Sequence, residues 1–242
     1  CDQLETIGIQ RMVTAPTVAT AWASLRDEVP DVVLSAMHLE DTTGAKMLTE
    51  MRSMELYRDV PFILVSSEMG AQYLEPVKQS GVTAIIKKPC KEADLKRALH
   101  RTLELVHPRP VEISPQVLNG LHVLIVDDSR AARRYITRVL TSLGLQHFTE
   151  AEDGQVAIEL IDRVTFDFVV TDYNMPRVDG QGLLRYIRNE STQSNIPVLM
   201  VTSESNEARL GAVSQLGVSA MCDKPFAPDT VRRLIVGLVA SG

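Results

Sequence analysis

Five polar residues in the second half of the sequence could together bind a divalent metal and accept a phosphoryl group. Each stands at or shortly after the end of a short apolar run: Asp127, Asp128, Asp172, Thr202 and Lys224. Three carboxylates in one cleft repel one another, and their pKa values rise unless a cation lies among them. Mg²⁺ prefers such oxygen ligands. A carboxylate nucleophile assisted by a metal, an ammonium group and a hydroxyl group is what phosphoryl transfer to a carboxylate requires.

The surrounding pattern predicts how these residues are positioned. Apolar runs typical of strands occur at 121–126, 166–171, 198–202 and 220–222, and helical periodicity occurs at 131–143 and 229–239. Alternating strands and helices imply right-handed crossovers and a parallel sheet that helices cover on both faces. Ligands of such sheets bind at the carboxyl edge of the strands, so the five polar residues are expected to meet there.

The sequence also repeats itself at a constant separation of 136 residues. Four pairs of segments match in this register: 31–34 with 167–170, 60–68 with 196–204, 80–84 with 216–220, and 88–89 with 224–225. This repeat predicts two domains of one fold, a first domain at 1–106 and a second domain at 121–242. Three prolines (Pro108, Pro110 and Pro115) lie in the segment 107–120 and favour an extended, semi-rigid linker there.

Four segments of the second domain resemble the receiver domain of bacterial response regulators. They are Val123-Leu-Ile-Val-Asp-Asp-Ser, Val170-Thr-Asp-Tyr-Asn-Met-Pro-Arg-Val-Asp-Gly, Val201-Thr-Ser and Asp223-Lys-Pro-Phe. The resemblance spans essentially the whole second domain. It implies an α/β fold in which each domain is a doubly wound, flavodoxin-like domain with a five-stranded parallel sheet of order 2-1-3-4-5.

The resemblance also implies a role for each site residue. Asp172 would receive a phosphoryl group from a sensor histidine kinase or a phosphotransfer protein. Lys224 would pair with that group, Thr202 would turn toward it, and the bond before Pro225 would be cis. Three carboxylates and one backbone carbonyl would hold Mg²⁺: Asp127, Asp128, Asp172 and the carbonyl of Asn174.

Three residues near the site, Met221, Asn174 and Glu204, bear on how the expected switch works. Met221 stands three residues before Lys224, where the family commonly has an aromatic residue, and a flexible methionine puts the aromatic half of the usual switch in doubt. Asn174 and Glu204 resemble the pair of CheY-like chemotaxis regulators. This pair predicts a short-lived phosphoryl state.

The first domain lacks an acceptor carboxylate, because Ala36 stands at the position of Asp172. The other site positions hold His38, Ser66 and Lys88. We therefore predict a pseudo-receiver that serves as a docking or dimerisation unit. The counterparts of residues 121–136, including the first strand, are not in the sequence, and by analogy roughly 16 further residues are expected upstream.

Composition limits the remaining classes of function. Hydrophobic residues make up 45% and charged residues 23%, which is typical of a globular protein with a core. A net charge of -6 and an aromatic content of 5% argue against binding to nucleic acid or to a membrane surface. No apolar run approaches the roughly 20 residues of a membrane span. The three cysteines lie far apart without metal-binding spacing, so a reduced, cytoplasmic protein is expected.

The predicted function is that of a response regulator in a phosphorelay. Phosphorylation of Asp172 would switch a surface that binds a downstream effector protein or a second copy of the chain. The protein would not be an ordinary enzyme, although it would catalyse its own phosphorylation and dephosphorylation. A sensory fragment of a larger signalling enzyme, such as a cyclic-dinucleotide synthase, is the alternative. A haloacid-dehalogenase-type phosphatase would need a second aspartate at Asn174, and a flavodoxin-like cofactor domain would need a phosphate-binding loop.

Overall fold

The two predicted domains are separate compact units of the structure. A computed structural model describes residues 2–68, 70–106, 113–202, 213–226 and 228–240. The chain divides into residues 1–103, which contain most of the first domain, and residues 104–242, which contain the second. The repeat of 136 residues is therefore a repeat of folded units.

The first unit has a three-stranded parallel sheet of order β1-β2-β3. The elements that begin in this unit are α1 (Asp2–Thr6), α2 (Val18–Asp27), β1 (Val33–Ala36), α3 (Gly44–Ser53), β2 (Phe62–Ser66), α4 (Ala71–Gln79), β3 (Ala84–Lys87) and α5 (Glu92–Val106). Its three strands are the repeat counterparts of the last three strands of the second unit.

The second unit has a five-stranded parallel sheet of order β5-β4-β6-β7-β8, which is the predicted order 2-1-3-4-5. Its described elements are α6 (Pro115–Gly120), β4 (His122–Val126), α7 (Arg130–Ser142), β5 (His147–Ala151), α8 (Gly154–Ile161), β6 (Phe168–Asp172), α9 (Gly180–Asn189), β7 (Val198–Thr202), β8 (Ala220–Asp223) and α10 (Pro228–Ala240). The predicted strands and helices lie within about two residues of these bounds.

Helices cover both faces of this sheet, as the apolar strands predicted. Alternate residues of β4 enter different clusters: Val123 packs with residues of α7 and α10, whereas Leu124 packs with residues of α8 and α9. Burial of each such side chain stabilises the fold by roughly 1.5–3 kcal/mol. None of the helices in the described residues combines the length and the apolar composition that a membrane span requires.

The first sheet has three strands. A receiver sheet that lacks only its first strand would have four. Residues 11–15 are the repeat counterparts of β5 (His147–Ala151), yet they form no strand. In the described part of the second unit, β5 is an edge strand that pairs with β4 alone. Among the described residues of the first unit, no strand lies on the free side of β1, so residues 11–15 have no partner for ladder hydrogen bonds.

The last part of the predicted linker is a short helix, so the expectation of an extended connection is wrong there. Pro115 occupies the first turn of α6, where the missing N–H costs no intrahelical hydrogen bond. The Ser114 hydroxyl accepts a hydrogen bond from the Val117 N–H and caps the helix. Leu118 is buried in the core of the second unit, which anchors the helix.

Each unit contains one arginine that joins two loops at the amino edge of its sheet. Arg52 donates to the carbonyl oxygens of Val60 and Gly81 at 3.0 and 2.9 Å. Arg188, its repeat counterpart, donates to the carbonyl oxygens of Ile196 and Gly217, each at 2.8 Å. Neither arginine was anticipated from the sequence, because the bonded carbonyls are backbone groups and carry no signature in residue type.

Candidate active site

The second unit brings four of the five predicted site residues into one cluster, of which three are buried. The Lys224 Nζ donates to Asp127 Oδ2 at 2.9 Å and to Asp172 Oδ2 at 2.8 Å. Asp127, Asp128 and Asp172 each offer a carboxylate oxygen within 4.8 Å of the others. Asp127, Asp172 and Lys224 are at most 6% exposed, whereas Asp128 is exposed to solvent.

The carboxyl ends of β4, β6 and β8 place these side chains. Asp127 follows β4, and its Oδ1 accepts a hydrogen bond of 2.8 Å from the Ser129 N–H, at the point where α7 begins. Asp172 is the last residue of β6. The Lys224 N–H donates to the carbonyl oxygen of Thr202 at 2.8 Å, which holds the lysine beside the end of β7. The carboxyl edge of a parallel sheet thus gathers residues far apart in sequence.

Burial and charge pairing shift the pKa values of the two buried partners Asp127 and Lys224. Burial raises the pKa of Asp127 to about 6, against the lowering effect of Lys224 and with a further raising effect of Asp172. Burial by itself lowers the pKa of Lys224, but Asp127 and Asp172 raise it above its ordinary value overall. One ammonium group among three carboxylates leaves an excess of negative charge in a poorly solvated place. That excess favours a further cation.

The donor set fits Mg²⁺. All the donors are oxygen atoms, and the exposed Asp128 leaves the cluster open to solvent on one side. Mg²⁺ usually binds to carboxylate oxygens and keeps several of its waters. The oxygen donors supply the first requirement, and the side open to solvent leaves room for the waters. The side chains that would hold the ion are Asp127, Asp128 and Asp172.

The remaining predicted residues lie next to this cluster. Thr202 is the buried last residue of β7, and Asn174 is exposed two residues beyond Asp172. The Lys224–Pro225 bond is cis, as predicted. Met221 is partly buried against the core rather than free at the surface. Glu204 lies outside the described residues, so its pairing with Asn174 stays a prediction.

The corresponding edge of the first unit has no acceptor carboxylate. The Ser35 side chain is buried and its hydroxyl donates to the Ala36 carbonyl at 3.0 Å, so it does not substitute for an acceptor. Lys88 is exposed, in contrast to the buried Lys224. His38 Nε2 lies 3.2 Å from Glu68 Oε2 across the ends of the two neighbouring strands. Ala36 offers Lys88 no carboxylate of the kind that Asp172 offers Lys224.

One contributor to the site was missed by sequence reasoning. Arg133 donates to the backbone carbonyl of Asp127 at 2.8 Å and to Glu150 Oε2 at 2.9 Å, and its side chain is only 14% exposed. It thereby joins the loop that carries Asp127 and Asp128 to β5. The only sequence signal is its place in the first helical turn after Ser129, and exposed arginines are common at such positions.

A five-stranded sheet of this order, with three carboxylates and a lysine at its carboxyl edge, defines the receiver class of signalling domain. The sequence agrees: the family described as response regulator receiver domain matches residues 2–100 and 123–236. The chain belongs to this family and is a response regulator with two receiver domains in tandem. Such domains act in phosphorelay signalling with histidine kinases and downstream effectors. Membership decides against the dehalogenase-type and flavodoxin-like alternatives.

Similar proteins include two chemotaxis regulators. Chemotaxis protein CheY-3 of Vibrio cholerae serotype O1 is 38% identical over 117 residues, which cover 48% of this chain and 90% of that protein. Chemotaxis protein CheY of Pseudomonas aeruginosa is 38% identical over 115 residues, which cover 48% of this chain and 93% of that protein.

The solved structures that this chain matches include the receiver domain of the sensor histidine kinase PA1611 from Pseudomonas aeruginosa PAO1, with a magnesium ion coordinated in its active-site cleft. It is 25% identical, covers 50% of this chain and 98% of that chain, and has a TM-score of 0.46.

Proposed function

We propose that the second domain accepts a phosphoryl group on Asp172 in an Mg²⁺-dependent reaction, and that the first domain does not. The donor is a sensor histidine kinase or a phosphotransfer protein. The observation that carries this proposal is the position of the Lys224 ammonium group between the carboxylates of Asp127 and Asp172. A lysine held there is already beside the atom that would be phosphorylated.

The transfer uses groups of this chain. A carboxylate oxygen of Asp172 attacks the phosphorus atom, and an oxygen–phosphorus bond forms as the bond between phosphorus and the donor atom breaks. The electron pair of the broken bond leaves with the donor. Lys224 moves from the carboxylates to a phosphoryl oxygen, and the Thr202 hydroxyl donates to another. Mg²⁺, when held by Asp127, Asp128, Asp172 and the Asn174 carbonyl, supplies positive charge that offsets the charge on the phosphoryl oxygens.

Water reverses the modification by attacking the same phosphorus atom. The bond to Asp172 breaks and inorganic phosphate leaves. The protein is therefore an acceptor that catalyses its own phosphorylation and dephosphorylation, not an enzyme with a separate substrate. Asn174, together with Glu204 in the sequence, supports a short-lived modified state.

Phosphorylation changes the hydrogen bonding of Thr202 and Lys224. A charge-assisted hydrogen bond contributes roughly 1.5–3 kcal/mol. This free energy shifts a two-state equilibrium by about ten- to a hundredfold. The shift is sufficient to change which surface is offered to a downstream effector protein.

The first domain serves as a docking or dimerisation unit. It retains three strands and the lysine position of a receiver, but Ala36 stands in place of the acceptor and Lys88 is exposed. The first domain therefore does not accept a phosphoryl group, and its role is to bind another protein or a second copy of the chain through its surface. Homodimerisation through this domain is one form of that role.

The test is incubation of the full chain with Mg²⁺ and a small phosphodonor, followed by intact-mass measurement. The wild type is expected to gain one phosphoryl group and Asp172→Asn none. Lys88→Met, altered only in the first domain, is the matched control and is expected to gain one group. A second group on the wild type, or a group on Asp172→Asn, contradicts the silent first domain. No group on any protein contradicts transfer to Asp172.

A further inference from the structure

The loop after the acceptor strand is held at its ends by backbone hydrogen bonds. The Tyr173 N–H donates to the Val201 carbonyl at 3.0 Å, and the Gly180 N–H donates to the Tyr173 carbonyl at 2.9 Å. The loop between them carries Asn174, whose carbonyl is the backbone ligand of the proposed metal site. The position of that carbonyl therefore depends on what holds the middle of the loop.

Arg177 holds the middle of the loop to the start of α8. Its guanidinium group donates to Asp153 Oδ2, and its Nη2 lies 3.1 Å from Glu152 Oε1. Arg177 has a φ of +62°, and it is the one non-glycine residue with positive φ in the part of the chain that the structure describes. This backbone conformation is unfavourable for an L-residue and persists only when its surroundings impose it.

Asp153 is suited to impose it, because the Asp153 side chain is only 1% exposed. Its Oδ1 accepts a hydrogen bond of 3.0 Å from the Val156 N–H and caps α8, so its other oxygen is directed to Arg177. A second contact lies alongside: the Gly154 N–H donates to the Val178 carbonyl at 3.1 Å. The loop is thus joined to the start of α8 by the ion pairs of Arg177 with Asp153 and Glu152 and by this backbone hydrogen bond.

The first domain makes the same connection with the opposite charge. Asp41 is the repeat counterpart of Arg177, and its two carboxylate oxygens accept hydrogen bonds from the N–H groups of Val18 and Ala19 at 2.9 and 3.0 Å. Thr17, the counterpart of Asp153, caps that helix through its hydroxyl. In the second domain an arginine of the loop binds the aspartate that caps the helix. In the first domain an aspartate of the loop binds the N–H groups of a helix that a threonine caps. Both arrangements join the loop to the start of the helix.

We propose that Arg177 is a positioning residue of the metal site, which acts by holding the loop that carries the Asn174 carbonyl to Asp153. The inference rests on the proposed function, because it presumes that Asp127, Asp128, Asp172 and this carbonyl bind the ion. In this proposal Arg177 is neither a ligand of the ion nor a hydrogen-bond donor to the phosphoryl group, because its guanidinium group binds Asp153 and Glu152. Its loss affects how well the ion binds, not the chemistry once the ion is bound.

The test measures binding of Mn²⁺, as a substitute for Mg²⁺, to the full chain by electron paramagnetic resonance of the free ion. Arg177→Ala is expected to weaken binding about tenfold, the usual effect of losing a group that orients a metal ligand. Arg185→Ala, which removes an exposed arginine of α9, is the control and leaves the affinity unchanged. With saturating Mg²⁺, Arg177→Ala is expected to be phosphorylated at nearly the wild-type rate.

The decisive variant carries the residues of the first domain at positions 177 and 153. Arg177→Asp alone places an acid beside Asp153 and weakens Mn²⁺ binding. Arg177→Asp combined with Asp153→Thr restores the other solution and recovers binding to within about threefold of wild type. Unchanged affinity in Arg177→Ala, or a double variant as weak as the single one, overturns the proposal. A wild type that binds no Mn²⁺ overturns the proposed metal site itself, and this inference with it.

Discussion

Replacing Lys224 by methionine removes the one cation of the buried cluster and keeps most of the side-chain volume. The ammonium group hydrogen bonds to both Asp127 and Asp172, and all three side chains are at most 4% exposed. The variant leaves two carboxylates facing each other with little access to solvent. We expect the second domain of Lys224→Met to be strongly destabilised when no divalent metal is present.

The magnitude follows from the burial of the pair. Removing one partner of a buried ion pair costs about 3 kcal/mol or more, because the remaining charge is left uncompensated. A loss of this size lowers the melting temperature of a domain of this length by roughly 10 °C. Below pH 6, protonation of Asp127 removes the repulsion, because burial raises the pKa of this residue to about 6 in the wild type. The difference in melting temperature between Lys224→Met and the wild type is therefore expected to be smaller at pH 5 than at pH 7.

The chain offers an internal control for this experiment. Trp22 is the only tryptophan in the sequence and lies in the first unit, packed against Tyr57 with a ring-centroid distance of 5.5 Å. Calorimetry of the full chain measures the unfolding of both domains, and fluorescence of Trp22 reports the first. Lys224→Met is expected to lower the transition of the second domain and leave the Trp22 transition in place.

Lys88→Met is the matched variant at the repeat position of the first domain. Lys88 is exposed, so its replacement is expected to change stability by less than about 0.5 kcal/mol. Mg²⁺ is expected to restore part of the stability of Lys224→Met, since a bound cation replaces the lost charge. Equal melting temperatures for Lys224→Met and the wild type without metal would refute the electrostatic account of the site.

Three further outcomes are expected. Arg188→Met loses hydrogen bonds to the carbonyls of two loops and should lower the free energy of unfolding by about 2 kcal/mol in urea titrations. Gly180→Ala places a Cβ in steric conflict with the Asp172 carbonyl, so phosphorylation and stability should both fall. Gly237→Ala is the control: its Cβ meets nothing within 4 Å, and the variant should slightly stabilise its helix. Backbone N–H groups of α2 lower the pKa of Asp41. The ionised Asp41 therefore stabilises the first domain above pH 4, and this stabilisation is lost as the pH falls through the lowered pKa. The melting temperatures that Trp22 fluorescence gives for the wild type and Asp41→Asn should converge at pH 3.

Much of the fold could be predicted because its signals are local or periodic. The apolar run before Asp127 and the helical period of α7 need no partner to be recognised, and the separation of 136 residues relates two copies without any structure. The strand order came from resemblance to the receiver family, and the structure confirms it. The absence of a strand at 11–15 was not predicted, because a strand forms only where a neighbour supplies its hydrogen bonds.

Residue types at strand ends determined the chemistry proposed here: Asp172 with its carboxylate neighbours, Lys224, and the alanine that replaces the acceptor in the first domain. Only the tertiary structure decided that Lys224 lies between two carboxylates, and that burial outweighs its charge in setting the pKa of Asp127. The same holds for Arg177 and Asp153, and for the arginines that join loops through backbone carbonyls. Such contacts join residues distant in sequence, and their energies depend on distance and desolvation, which residue order does not contain.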